Sequence, residues 1–342
     1  MADCYTTMPP KKSSPPLAGL RVLDLTRLLP GGFATRLLAD LGAEVVKLED
    51  PAAGDYLRTI SAQMFAALNS GKRSLVLDLR NPQGRAAFLR LLPRFDVLVE
   101  SFRPGVMARL GCGYEQTAHP QLIYCALSGY GQAGERAGRS GHDINYVSTA
   151  GLLSGAALPL TVPIADFSGG YSAALEIVAA LEGRRRSGQG CFLDVSLTAS
   201  VLPMAITRLA GDTLQGGLAC YNLYATSDGK QFSLGALEPK FFAAFTRAVG
   251  HPELAGMQFD PERQEELKAA LRTIFAGRSR QEWEAFFTDV DACGAAVLTP
   301  QEAVGGREVA AAAPGLGQHS AEILAEAGFT PEETQNLIHG LH

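Results

Sequence analysis

Short apolar runs alternate with helical patterns through the first half of the chain, and this alternation leaves few folds open. Leu20–Leu25 reads as a strand, a loop holding Pro30, Gly31 and Gly32 follows, and a helix is expected from about Phe33 to Leu41. Ala43–Leu48, Ser74–Leu79, Asp96–Val99 and Leu122–Leu127 read as further strands, with a helix near Gly84–Leu92. Strands that alternate with helices form right-handed βαβ units and a parallel sheet. The predicted class is therefore α/β, with a Rossmann-like sheet in a large domain.

The second half is organised differently. Tyr171 to about Glu182 is rich in Ala, Leu, Ile and Val and predicts a buried helix. Arg184, Arg185 and Arg186 close it, and cations there complement the helix dipole as a solvated cap. Phe192–Leu197 predicts a strand and Thr198–Ala210 a helix, and Gly211 to Tyr224 has the glycine content of a linker. Gln231–Ala236 then reads as a strand, with helices at Pro239–Val249, Pro261–Phe275 and Gln281–Phe287. Ser279-x-x-Glu282, Thr299-Pro300-Gln301-Glu302 and Thr330-Pro331-Glu332-Glu333 are capping boxes that mark helix starts. These patterns place a smaller α+β domain at 215–305 inside a larger one made of 18–210 and 306–342. Residues 1–17 read as a flexible extension.

Composition excludes several functions. A net charge of −5 argues against general nucleic-acid binding. The six cysteines lack CxxC or zinc spacing, which predicts reduced thiols in a cytoplasmic protein. No apolar run reaches the roughly 18 residues of a membrane span. Met8–Pro16 lacks the hydrophobic centre of a signal peptide. Glu49 closes the second strand as a ribose-binding acid would, yet the preceding turn lacks GxGxxG, so nicotinamide binding is disfavoured.

Three glycine-marked segments carry chemistry: Gly141-His142-Asp143-Ile144-Asn145-Tyr146, Ala165-Asp166-Phe167-Ser168-Gly169-Gly170, and Gly235-Ala236-Leu237-Glu238-Pro239. One histidine and two carboxylates are sufficient to take a proton from carbon and return it. Histidine does both near neutral pH, although an isolated histidine is more often structural. Asp166 precedes a long helix and reads equally as its N-cap. Free amides at such a terminus would hold an oxyanion. Glu238 before Pro239 reads as a helix-start acid.

The same segments resemble the α-methylacyl-CoA racemases within the class III CoA-transferase family. So do LADLGAEVVKLEDP (Leu38 to Pro51), GKRSLVLDL (Gly71 to Leu79), RPGV (Arg103 to Val106), LSGYGQ (Leu127 to Gln132), TSDGK (Thr226 to Lys230) and LGQHSAEILAEAGF (Leu316 to Phe329). The resemblance covers nearly everything after residue 17 and implies an acyl-CoA epimerase without added cofactor or metal, CoA being part of the substrate. It gives His142 and Asp166 the two proton transfers and Glu238 the orientation of His142. Lys72, Arg73 and Arg103 are the implied phosphate-binding cations. Leu77, Asp78, Leu79 and Arg80 are the implied adenine end, with Gly141, Asp143, Ile144, Asn145 and Tyr146 around the acyl end. Asp143 itself reads as a partner of loop amides. The family's usual arginine before Pro51 is Asp50 here, which moves one contact to Lys47 or Arg58 or removes it. The family is built as interlocked homodimers, with each site between the large domain of one subunit and the small domain of the other. The linkers before Tyr221 and between Val304 and Pro314 are short by comparison. The resemblance also allows a CoA-transferase with Asp166 as nucleophile, or a CoA-binding protein without catalysis.

Overall fold

The computed structural model describes residues 14–117, 119–154, 160–209, 211, 213–305 and 312–339. The chain divides into a larger unit, which runs to Pro203 and resumes after residue 307, and a smaller unit between them. Most of the expected N-terminal extension, 1–13, lies outside the described residues. Leu17, at its end, is held by a hydrogen bond from its amide to Leu41 O (3.0 Å).

In the larger unit β1 (Arg21–Leu25), β2 (Glu44–Glu49), β3 (Arg73–Val76), β4 (Val97–Glu100), β5 (Ile123–Ser128) and β6 (Cys191–Ser196) form one sheet in the order β3-β2-β1-β4-β5-β6. Every pairing is parallel. Successive strands step outward from β1 to β3, and the chain then returns to β4 on the other side of β1. The direction of winding reverses between β1 and β4, and a crevice opens there beyond the strand C-termini, where open α/β sheets bind ligands. β3 is an edge strand, and edges invite unwanted pairing. The C-terminal segment covers it: Ser74 N donates to His319 Nδ1 (3.0 Å), His319 N to Ser74 O (2.9 Å) and Val76 N to Ser320 Oγ (3.1 Å).

Two helices start earlier than sequence patterning places them. The first runs Leu28–Asp40 and contains Pro30, Gly31 and Gly32, which were expected in a loop. Proline is tolerated in a first turn because its missing N–H would be unpaired there anyway. A Cβ on Gly31 would lie 2.3 Å from Thr26 Cβ, so glycine lets the helix begin directly over the β1 turn. The second runs Ile164–Ser187, which puts Asp166 inside the first turn and leaves Pro163 at the N-cap. It packs along the Leu28–Asp40 helix, and a Cβ on Gly170 would meet Pro30 O at 2.8 Å. At 24 residues it is long and apolar enough to cross a membrane by length and composition, contrary to the reading that no stretch is. Ala165, Gly169, Gly170, Ala173 and Ile177 are nonetheless buried within the unit, and Asp166, Glu176 and Glu182 lie along the same helix.

The smaller unit holds the antiparallel sheet β7 (Tyr221–Ala225), β8 (Gln231–Gly235) and β9 (Gly294–Ala296). β7 occupies the end of the stretch read as linker, where Tyr224 is buried against Phe275 with ring centroids 4.8 Å apart. Trp283 is buried in the same core and donates to Phe275 O (2.9 Å).

Four buried charges lie beneath the C-terminal ends of β1–β3. Lys72 Nζ reaches Asp24 Oδ2 (3.0 Å), and Lys47 Nζ reaches Asp55 Oδ2 (3.0 Å). Thr26 and Thr35 hydroxyls also donate to Asp24. Burial would raise the Asp24 pKa, but the Lys47 and Lys72 ammonium groups outweigh it and hold this carboxyl well below the ordinary range. Removing one partner of such a set leaves an uncompensated buried charge. Lys72→Met is therefore expected to cost about 3–5 kcal/mol, read as a lowered urea midpoint; an unchanged midpoint would show that the network contributes nothing to stability.

Candidate active site

Two clefts open beyond the strand C-termini, and both are lined by Arg27 and Phe102. The first, about 340 Å³, is lined by the residues after β1, β2 and β3, including Leu77, Asp78, Leu79 and Arg80. The second, about 630 Å³, is lined by Arg103, Arg139, Gly141, His142, Asn145, Tyr146 and Asp166 among others. The structure thus brings His142 and Asp166, which are 24 positions apart in sequence (166 − 142), to one cleft.

Local chemistry places each of them. His142 is extended and stands at the N-cap of the helix Asp143–Thr149, so the GHDINY segment is a helix start and not a loop. The His142 amide donates to Asn145 Oδ1 (3.0 Å), and Tyr146 Oη donates to Gly141 O (2.5 Å), which folds the segment onto itself. Burial pushes the Tyr146 phenol up to about 12, so it remains a neutral wall of the cleft. Asp143 Oδ1 accepts from Ala165 N (2.7 Å) and Asp166 N (3.1 Å). It thereby caps the Ile164–Ser187 helix from a neighbouring segment. Those are the amides expected to hold an oxyanion; Asp143 occupies them, and Phe167 N donates to Pro163 O (3.1 Å).

The same contact shapes the electrostatics of Asp166. Burial, and after it the Asp143 charge, raise its carboxyl to about 7. A carboxylate at a helix N-terminus would ordinarily be stabilised by the free amides. Here Asp143 has taken two of them and adds a like charge to the effect of burial, so the Asp166 carboxyl stays above the ordinary carboxylate range.

Several expected ligand contacts are not available. Lys72 is buried and bound to Asp24, Gly32 O, Thr35 Oγ1 and Asn69 Oδ1. Arg73 lies at the start of β3, at the opposite end of the strand from the clefts, and pairs with Glu44, Glu322 and Glu326. Lys47 is fully buried on Asp55, and Arg58 is bidentate on Glu49 (2.8 and 2.7 Å), so neither replaces the cation absent at Asp50. Asp50 itself draws Arg80 (3.1 Å), which also binds Asp78 (2.9 Å). Glu49 is consumed by Arg58, Ser74 and the Asp55 amide, which removes the ribose-binding reading. Asp143 and Ile144 do not line the cleft, the first being turned to its amides and the second exposed. Glu238 is exposed at the N-cap of the Pro239–Ala248 helix of the smaller unit.

Arg27 and Arg139 were missed by sequence reading. Arg27 directly follows the helix-facing turn of β1, and Arg139 lies three residues before His142, so position relative to a strand end and to the motif was the available signal. The side chains of Arg103 and Arg139 have no ion-pair partner among the described residues.

Fold and site together define an α/β protein with a histidine and a carboxyl in one cleft beyond the C-terminal ends of a parallel sheet. The chain belongs to CoA-transferase family III, whose family model matches residues 17–318. It is 34% identical over 375 aligned residues to an alpha-methylacyl-CoA racemase from Homo sapiens, covering 94% of this chain and 96% of that one. It is also 32% identical to a succinyl-CoA:glutarate CoA-transferase from Mus musculus, covering 80% and 70% respectively. Among solved structures, a CAIB/BAIF family protein from Brucella suis superposes with a TM-score of 0.78 at 27% identity, covering 92% of this chain and all of that one.

The Asp143–Asp166 contact has a direct spectroscopic consequence. In carboxyl-carbon NMR, Asp166 should titrate near 7, and Asp143→Asn should lower its midpoint by removing the like charge while keeping an acceptor for the two amides. An unmoved midpoint would show that Asp143 does not set the acidity of Asp166.

Proposed function

We propose that this protein is a racemase that inverts the α-carbon of 2-methylacyl-CoA or another 2-substituted acyl-CoA. The observation that carries this reading is a histidine and a carboxyl with a pKa of about 7 lining one cleft. The thioester acidifies the α-hydrogen. One of His142 and Asp166 takes it as a proton, the electron pair moves onto the thioester oxygen as an enolate, and the other group delivers a proton to the opposite face. Each group must change protonation state near working pH, as a carboxyl near 7 does. Asn145 lines the cleft with its oxygen held by the His142 amide, which leaves its NH2 as a donor for the enolate. No metal or added cofactor is required by this chemistry.

The transferase relatives support a second reading, in which the Asp166 carboxylate attacks the thioester carbonyl and CoA leaves as a thiolate. CoA then returns to form an aspartyl thioester and release the acid. With its pKa raised to about 7, Asp166 is able both to take and to give a proton near neutral pH, whereas nucleophilic attack would use its ionised form alone. The exposed apolar face of the Ile164–Ser187 helix, with Tyr171, Leu175 and Val178 at helical spacing, supports a homodimer. Free cysteines with raised pKa at Cys112 and Cys125 suit a reducing, cytoplasmic setting.

One epimer of a 2-methylacyl-CoA incubated in deuterated water should racemise with deuterium incorporated at Cα. A transferase would leave it unchanged until an acceptor acid is added. His142→Ala should slow racemisation by about 10²-fold or more while its CoA affinity stays close to that of the parent; an unaffected rate would remove His142 from the mechanism. Activity in the direction that uses Asp166 as base should fall as pH drops through about 7, because its carboxylate form is then lost.

A further inference from the structure

We propose that Arg27 is the residue that binds the diphosphate of the CoA thioester, at the junction of the two clefts. The assignment rests on the acyl-CoA reading above and adds to it a contact that the motifs do not supply. Arg27 and Phe102 line both clefts, and Arg27 follows β1 at the point where the winding of the sheet reverses. With the adenosine end over Leu77–Arg80 and the thioester beside His142 and Asp166, the anion midway along the ligand is the diphosphate.

Charge accounting agrees: Arg103 and Arg139 are also without ion pairs among the described residues, but they line the second cleft alone. Lys47, Lys72, Arg58, Arg73 and Arg80 are each neutralised by carboxylates. Arg27 has no carboxylate partner among the described residues. Its guanidinium carbon lies 5.1 Å from the Tyr56 ring centroid and 5.4 Å from that of Phe102, and Nη1 donates to Tyr56 Oη (3.1 Å). Two rings fix the plane of the fork while most of its five N–H donors remain for an oxyanion.

The backbone on either side is held with unusual firmness. Asp24 Oδ1 accepts from Thr26 N (2.9 Å), and Lys47 donates to Thr26 O (2.8 Å). Asp55 Oδ1 accepts from Leu28 N (3.1 Å), and Arg27 N donates to Ser101 Oγ (3.0 Å). Leu28 has φ +64°, a left-handed conformation that a leucine adopts only under constraint from its surroundings. The buried charges beneath the strands thus fix the placement of Arg27, as a pre-organised phosphate ligand requires.

The test compares binding of CoA, dephospho-CoA and a pantetheine thioester to the full-length protein and to Arg27→Met and Arg27→Lys. Arg27→Met should weaken CoA and dephospho-CoA alike by roughly 10- to 100-fold, since both carry the diphosphate, and leave the pantetheine thioester unchanged. Arg27→Lys keeps the charge but not the planar fork, and should fall between; it carries the same test if the methionine variant does not fold. Unchanged CoA affinity would overturn the assignment. So would an equal loss for the pantetheine thioester, which would make the role structural, or a loss confined to CoA, which would move the contact to the 3′-phosphate. A parent protein that binds none of the three would overturn the functional reading itself, and with it this assignment.

Discussion

The buried pairing of Asp24 with Lys72, and of Lys47 with Asp55, is the constraint on which the ligand-facing end of the sheet depends. Four charges out of water are tolerable only with close partners and additional hydrogen bonds, and each of the four has them. Lys72 also donates to Gly32 O, which fixes the first turn of the helix over β1, and Lys47 donates to Thr26 O. Asp55 accepts from Leu28 N and Leu57 N, which ties the loop after β2 to the turn after β1. The network therefore does for the turns at the crevice what the apolar core does for the strands. It also explains why two lysines in cleft-adjacent motifs do not reach the clefts.

A second coupling joins the two motifs at the cleft. Asp143 belongs to the histidine motif but serves the aspartate motif, by capping the helix on which Asp166 stands. One contact joins the two segments, and its charge adds to the burial that raises the Asp166 carboxyl. Had the Ala165 and Asp166 amides stayed free, the helix terminus would have drawn the Asp166 pKa down. The adjacency of His and Asp in one motif is thus a division of labour, with the histidine facing the cleft and the aspartate facing the protein.

Much of this was legible in the sequence. The strand periodicity gave the parallel sheet to within a residue or two at most strand ends. The capping boxes at Ser279, Thr299 and Thr330 form as written, with reciprocal bonds such as Ser279 N to Glu282 Oε2 (2.7 Å) and Thr330 N to Glu333 Oε2 (2.7 Å). Leu77–Arg80, Arg103 and the His142 and Asp166 segments do line clefts. Errors arose where a local signal was outweighed from elsewhere. Gly31 and Gly32 look like a loop but enter a helix because Thr26 leaves no space for a side chain at Gly31. Tyr221–Ala225 looks like a linker but pairs with β8 and buries Tyr224 against Phe275.

By itself the sequence determined the α/β pattern and the helix starts that capping boxes mark, because these depend on spacing within a few positions. Only the tertiary structure decided which charges are spent and which remain. Lys72 finds Asp24 across 48 positions and Arg73 finds Glu326 across 253, whereas Arg27 lines the crevice without an acidic partner among the described residues. Neutralisation is a property of distance in space, and no local pattern in the chain encodes it.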